Sequence, residues 1–391
     1  MMRRLRVALL TLYPLHPERP DSIPGGVWAV GYNLARLLGQ FPDLDLHVVH
    51  CDARVEEDRT VERDGATVHL LSVRRRPWRL AIQGAVRRMA AFLRELRPDV
   101  ANAHAAQYAY AAVRAGVPTV YTVHGVVRRE FWAFPWRWRW TLVLPIFYDA
   151  VAARRARAMV AISPYVVQEY GDRARAPFHR IEVPISPEFF GVGGTGNPRV
   201  LFTAGNLNER KDYLTMLRAL ALVRREVPDV ELRIAGTGDP AYRTRLEGFI
   251  REEGLEGNVR FLGVLDRAGM VQAYAECGVV LLSSRQETAP GILCEGMAAG
   301  RPAVATAVGG VPDMVEEGVT GFVVPPGDPE ALAERTVRLL RDEALRQRMG
   351  AAARERALER WWPPRVAEQY RALYWEVAKG VRRNRGIEGG A

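Results

Sequence analysis

The chain has 391 residues, of which 48% are hydrophobic, and a formal net charge of +10, which is long enough for two domains with separate cores. That hydrophobic share is ordinary for a globular protein, and no apolar run approaches the roughly 20 residues needed to span a bilayer, so a soluble or peripheral protein is expected. The positive balance favours anionic partners through long-range attraction without saying which.

At the start, Arg3-Arg4-Leu5-Arg6 and the apolar residues after it imitate a secretory signal. The run is short, breaks at Pro14 and lacks a small-residue cleavage site, so a first β-strand is the reading. Gly25 and Gly26 then precede a helix with Val27, Val30, Leu34, Leu37 and Leu38 at helical spacing. Glycines at a strand-to-helix turn allow close approach of a ligand, or simply a tight turn. Strands around residues 46–49 and 67–71 continue an α/β pattern.

Residues 74–97 hold eight arginines against one acid, with Ile82, Val86, Met89, Leu93 and Leu96 as an apolar stripe. This reads as a domain helix with a solvated basic face, the alternative being a surface for anionic lipid headgroups. Residues 99–104 form a strand ending in His104, and residues 118–125 another with His124 at its carboxyl end before Gly125. A lone histidine of this kind is more often structural than catalytic. The segment 131–148 interleaves Trp132, Trp136, Trp138 and Trp140 with Arg137 and Arg139, a mixture suited to a membrane interface or an acceptor. It also suits stacking on single-stranded nucleic acid, but no RNA-binding motif accompanies it, so no nucleic-acid partner is expected.

Residues 191–196, GVGGTG, formally contain the dinucleotide-binding glycine pattern, but they precede a strand instead of following one. They read as a flexible interdomain linker, after which a second domain begins with the strand 200–203. The loop 205–212 follows that strand, and it contains Lys211, one of only two lysines in an arginine-rich chain. Further strands are expected at 232–235 and 259–263. Cys51, Cys277 and Cys294 have no metal-ligand spacing, which points to free thiols in a reducing cytosol.

The stretch 283–310 is the most informative. An apolar strand, 279–282, ends in a polar loop with Glu287, and a helix carrying Glu295 follows until Gly300-Arg301-Pro302 stops it before the strand 303–306. The loop therefore lies at the carboxyl end of a sheet, where open α/β sheets bind ligands. Thr288, Ala289, Pro290, Gly291 and Ile292 bring backbone to a helix start, where N–H groups suit phosphate or sugar oxygens. Glu295 can accept hydrogen bonds from a ribose diol.

Glu287 and Glu295, seven residues apart between them, with the small-residue helix after Glu295, the Gly-x-Pro break, Ala305-Thr306 and Gly309-Gly310, resemble the E-x7-E stretch of retaining GT-B glycosyltransferases of family four. The resemblance covers nearly the whole chain and is strongest from Gly205 to Pro326. It implies two Rossmann-like α/β domains facing each other across a cleft, with an acceptor-binding domain at 1–190, a nucleotide-sugar domain at 191–364, a helix at 365–380 crossing back to the first domain, and a tail at 381–391 expected to be disordered. It implies a hexosyltransferase-type enzyme that moves a sugar from a nucleoside-diphosphate sugar to an acceptor hydroxyl with retention, by same-face attack in which the leaving phosphate takes the proton.

By the same resemblance Glu287 holds sugar hydroxyls, Glu295 the ribose, His124 the donor sugar, and Gly25 and Gly26 face the donor phosphates. The family's Gly-Arg-Leu loop aligns with Gly205-Asn206-Leu207, and Lys211 matches its diphosphate-binding lysine. Asn206 stands where the family has arginine, so either Arg210 reaches the phosphate instead or stabilisation of the leaving group is weaker. The nucleotide base is expected near Leu262. The family's Asn-Gly-Val-Asp turn is absent at 181–187. No metal and no cofactor beyond the nucleotide-sugar co-substrate are implied. The acceptor, a lipid-linked or cell-envelope glycan among the candidates, stays open, as does a peripheral site at the cytoplasmic face of an anionic membrane. Two alternatives remain: a sugar-nucleotide epimerase on the same fold, and a non-catalytic membrane-associated sugar-nucleotide-binding protein.

Overall fold

A computed structural model describes residues 4–16, 26–73, 78–133 and 136–388. The chain forms two compact units, Met1–Pro184 with Pro363–Ala391, and Ile185–Trp362.

In the first unit the elements are β1 (Leu5–Leu10), α1 (Val27–Leu38), β2 (Leu44–Asp52), β3 (Arg59–Arg63), β4 (Ala66–Ser72), α2 (Trp78–Leu96), β5 (Val100–Ala103), α3 (Ala106–Ala115), β6 (Thr119–Val123), α4 (Val127–Ala133), α5 (Val143–Arg155), β7 (Ala158–Ala161), α6 (Pro164–Tyr170) and β8 (Phe178–Arg180). Their sheet runs β3-β4-β2-β1-β5-β6-β7-β8. Only β3 is antiparallel to its neighbour. Strands β5, β6 and β7 are buried along both faces, as helices on each side of a parallel sheet require. In α2 the stripe residues Val86, Met89 and Leu93 are buried, while Arg88 pairs with Asp58 and Arg94 donates to the Arg114 carbonyl. That is the solvated-face arrangement expected of a domain helix.

The second unit contains β9 (Asn197–Ala204), α7 (Tyr213–Glu226), β10 (Glu231–Ala235), α8 (Pro240–Glu252), β11 (Val259–Gly263), α9 (Arg267–Glu276), β12 (Cys277–Leu282), α10 (Gly291–Ala298), β13 (Ala303–Thr306), α11 (Val311–Met314), β14 (Gly321–Val324), α12 (Pro329–Arg341) and α13 (Glu343–Trp361). The sheet order β11-β10-β9-β12-β13-β14 is parallel throughout and is the Rossmann order 3-2-1-4-5-6. Trp361 is fully buried at the end of α13. Both units are Rossmann-like, the GT-B class of fold.

The last helix, α14 (Pro363–Glu388), belongs to the first unit. It is held there by Arg371 and Trp375, both donating to Asp43, and Tyr370 and Tyr374 on it are buried. It runs to Glu388, past the expected end near residue 380 and through Gly380 and Gly386.

Residues 191–196 are not a loose linker. Arg301 donates to the carbonyls of Gly193 and Gly194, and Arg354 donates to those of Val192 and Phe190. Glycine content alone signals mobility, but these guanidinium contacts come from residues more than a hundred positions away and fix the strap to the second unit. All three cysteines are free and buried.

Candidate active site

The lateral order of the second sheet reverses between β9 and β12, and ligands of open α/β sheets bind outside the carboxyl ends of the strands at such a switch point. Two loops leave those ends, 205–212 after β9 and 283–290 after β12. They are joined to each other. The Arg285 amide donates to the Arg210 carbonyl at 2.8 Å, and the Ser283 hydroxyl lies 3.0 Å from the Lys211 carbonyl and 2.9 Å from that of Asp212. Asp212, left-handed at φ 48°, costs on the order of 1–2 kcal/mol for a residue with a Cβ. Its carboxylate offsets that by accepting from Arg285 Nε and Thr215 Oγ1, each at 2.9 Å.

This clamp aims the basic side chains. Lys211 Nζ lies 2.6 Å from Glu287 Oε1 and Arg210 Nη1 lies 3.4 Å from Oε2, while Arg210 also donates to the Gln286 carbonyl at 2.9 Å. Ser284 Oγ donates to Glu287 Oε1 at 2.7 Å. Burial pushes the Glu287 carboxyl up, but the charges of Lys211 and Arg210 and the hydrogen bonds from Lys211 and Ser284 outweigh it and hold the group below the ordinary glutamate value. The result is an ionised carboxylate between two cations at the switch point.

Glu295 lies just over one turn into α10, and Tyr274 Oη donates to its Oε2 at 2.9 Å. Burial raises this carboxyl to about 7, against smaller lowering effects from the Tyr274 hydrogen bond and the Arg267 charge. The two glutamates therefore differ sharply in charge state near neutrality, one held ionised and one poised to titrate. Pro290 caps α10 in an extended conformation, bringing Ala289, Gly291 and the buried Ile292 to the helix start. Gly205 and Gly236 have positive φ, and a Cβ on Gly236 would come within 2.1 Å of the Gly205 carbonyl. Only glycine lets the loops after β9 and β10 stack this closely.

Asn206 is exposed at the tip of the β9 loop. Leu262 lies on the edge strand β11, separated from β9 by β10. Gly26 is the N-cap of α1 with φ 71°; Gly25 lies outside the described residues. In the first unit, His124 follows the carboxyl end of β6, and its Nε2 lies 2.8 Å from His104 Nδ1. Burial lowers His124 to about 4. Among the described residues no group of three or more His, Cys, Asp or Glu side chains could hold a metal ion.

Sequence reasoning brought Arg210, Lys211 and Glu287 together and missed the residues that hold them. Ser283, Ser284 and Arg285 were legible as a polar loop only, Asp212 as the end of the loop 205–212, and Tyr274 not at all. A polar Ser-Ser-Arg run directly after a fully apolar strand was the available signal for the clamp.

Residues 24–183 match the model described as Glycosyltransferase Family 4, and residues 186–356 match that described as Glycosyl transferases group 1. The chain belongs to glycosyltransferase family 4. Among this family's relatives, N-acetyl-alpha-D-glucosaminyl L-malate synthase of Bacillus anthracis is 30% identical over 205 residues, 52% of each chain; the chain spans about half the length of the curated relatives it matches. Among solved structures, sucrose-phosphate synthase from Thermosynechococcus elongatus aligns with a TM-score of 0.81 at 20% identity, over 96% of this chain and 100% of that one. The Anabaena protein Alr3699/HepE, solved in complex with UDP and glucose, aligns with a TM-score of 0.72 at 20% identity, over 95% of this chain and 100% of that one. Those structural likenesses show the fold, two Rossmann-like domains of the GT-B class.

Proposed function

We propose that the chain catalyses transfer of a sugar from a nucleoside-diphosphate sugar to an acceptor hydroxyl, with retention of anomeric configuration. The observation that carries this reading is the convergence of Lys211 and Arg210 on buried Glu287 at the sheet's switch point. In the reaction the bond from the anomeric carbon to the β-phosphate oxygen breaks and its electron pair stays with the diphosphate. The acceptor oxygen bonds to the same face of that carbon, and its proton passes to the leaving phosphate. Lys211 and Arg210 stabilise the charge that develops there, a preorganised electrostatic effect, together with backbone N–H groups at the start of α10. Glu287 holds sugar hydroxyls, Glu295 the ribose diol, His124 a hydroxyl of the donor sugar, and the loops at Gly26 and Gly205 the phosphates. The base lies by Leu262. These cations take the place of a divalent ion, so turnover is expected to survive EDTA. The solved relative with UDP and glucose bound makes a uridine nucleotide the first donor to try.

Calorimetric titration with nucleoside diphosphates tests the reading. A ribose diol needs the Glu295 carboxylate as double acceptor, and this group is raised to about 7. Affinity is therefore expected to strengthen as pH rises from about 6 to 8 and then level off. In Glu295→Gln that component disappears, leaving only the diphosphate's own titration; an unchanged profile in the variant removes Glu295 from the site. The sign for stability is opposite. A raised acid favours the protonated folded state, so its stabilising contribution is complete below the ordinary value of 4.5 and declines as pH rises through about 7, by roughly 3 kcal/mol if the whole shift is felt.

For the acceptor, the exposed face formed by the 3-10 turn 136–142 and the start of α5 supplies an observation. Trp140, Val143 and Phe147 are 64%, 47% and 51% exposed, on one side of the start of α5, and Arg139 stacks on Phe131. The side chains of Trp132, Trp136, Arg137 and Trp138 lie outside the described residues. No helix among the described residues is long and apolar enough to cross a membrane. We propose that this face rests on an anionic membrane at its cytoplasmic side and brings the site to a lipid-linked acceptor. Flotation with anionic vesicles should fall at least about fivefold in Trp140→Ala/Phe147→Ala, each apolar group burying roughly 1.5–3 kcal/mol in the interface; equal flotation of variant and parent would remove the membrane from the reading.

A further inference from the structure

The hydrogen bonds of Asn102, His104 and His124 fix which nitrogen of each ring carries hydrogen. Asn102, on β5, has Nδ2 2.9 Å from Thr122 Oγ1 and 3.5 Å from the Val120 carbonyl on β6. That carbonyl can only accept, so the amide nitrogen faces it and Asn102 Oδ1 is turned to His104 Nε2. Because Oδ1 also can only accept, His104 Nε2 carries the hydrogen. A neutral imidazole has one N–H, so His104 Nδ1 is a lone pair. His124 Nε2, 2.8 Å away, must therefore donate to it, and His124 Nδ1 is left as an acceptor. Burial lowers both rings, with the His124 charge a further cause at His104, which keeps the pair neutral near pH 7. His104 is itself 3% exposed and stacked near Tyr370 of α14 at 6.3 Å between centroids.

We propose that Asn102 and His104 are positioning residues that hold His124 in the tautomer with hydrogen on Nε2, so that its Nδ1 accepts a hydrogen bond from a hydroxyl of the donor sugar. The sugar clause rests on the function proposed above; the tautomer does not. The arrangement suits a reaction in which positive charge grows on the sugar ring. A neutral acceptor adds no repelling charge and has no proton to release, and its hydrogen bond strengthens as the hydroxyl becomes more acidic beside the charged ring. Without the relay, either nitrogen could carry the hydrogen, and the ring would present a donor part of the time.

The test uses the full chain labelled with nitrogen-15 histidine and long-range proton–nitrogen correlation at pH 7. The expected spectrum shows His124 with a protonated Nε2 and an unprotonated Nδ1. His104→Phe keeps a ring of similar size but removes the acceptor, and His124 should move to a mixture of tautomers, with kcat/KM for the nucleotide sugar falling about tenfold. His104→Gln can donate to Asn102 and offer its carbonyl to His124, and should restore both the tautomer and turnover to within about threefold. Hydrogen on His124 Nδ1 in the parent protein, or a tautomer unmoved by His104→Phe, overturns the relay whatever the activity. A shifted tautomer with unchanged kcat/KM overturns the contact with the sugar. Failure of the parent protein to bind any nucleotide sugar overturns the donor reading, while the tautomer result still decides the relay.

Discussion

Lys211→Met should lower turnover of the nucleotide sugar by about a thousandfold while leaving the fold intact. Removing a single preorganised charge donor from a developing anion typically costs 10² to 10³ in rate, roughly 3–4 kcal/mol, and Lys211 has the shorter contact of the two cations at Glu287, 2.6 Å against 3.4 Å for Arg210. The same change leaves a carboxylate that is 6% exposed with Arg210 and Ser284 alone. Breaking one side of a buried pair destabilises by about 3–5 kcal/mol, and the remaining partners reduce this to about 2–3 kcal/mol. Lys211→Met/Glu287→Gln removes the stranded charge, so its stability by denaturant unfolding should recover to within about 1 kcal/mol of the parent protein, with no recovery of turnover. Recovery of both together would make Lys211 a purely structural partner of Glu287.

The second large effect is on stability. Arg301 is fully buried and uses its guanidinium on four backbone carbonyls: Tyr274 at 2.7 Å, Gly194 at 2.8 Å, Ala275 at 3.2 Å and Gly193 at 3.4 Å. Burial lowers its pKa, but the four acceptors keep a charged group viable there. Arg301→Met fills most of the volume and supplies no donors. Each buried acceptor left unsatisfied costs about 1–3 kcal/mol, so a loss of about 4 kcal/mol is expected after relaxation. In a unit of this size that lowers the melting temperature by about 10 °C, which calorimetry would resolve. The change should also reach the nucleotide, because Arg301 holds the Tyr274 carbonyl while the Tyr274 hydroxyl holds Glu295. Weaker binding of nucleoside diphosphate at temperatures where the unit is still folded is the specific signature; melting unchanged within 2 °C would mean that water replaces the guanidinium at all four carbonyls, a result against this account.

The strand-loop-helix-strand order around Glu287 was legible because parallel inner strands write continuous apolar runs and glycine and proline punctuate their ends. The edge strands β3 and β8 were not. Arg59–Arg63 and Phe178–Arg180 are short and rich in charge, as edge strands tend to be, and so carry no alternation to detect. Arg301 was legible only as part of a helix stop, since its partners at Gly193 and Gly194 are more than a hundred residues away. For the same reason residues 191–196 looked like a linker. In the candidate site, Glu287, Glu295 and Lys211 stand out by residue type and spacing together with the family resemblance. Asp212 and Asn102 were not, because what makes each matter is a partner on a neighbouring strand or loop: Arg285 and Ser283 for the first, Thr122 and His104 for the second. Arg210, which stood as one of two explanations for the Asn206 exchange, does reach Glu287.

The role proposed for the two-cation site on Glu287 is to drive departure of a nucleoside diphosphate. Its most direct test is nucleoside diphosphate release from UDP-, GDP-, ADP- and dTDP-sugars, measured with the full chain, with a lipid extract supplied as acceptor, and with Lys211→Met alongside. The account predicts release from one donor class, dependence on the extract, persistence in EDTA, and loss in the variant. Release that is equal in the parent protein and in Lys211→Met, or no binding of any nucleoside diphosphate by the parent protein, would contradict it.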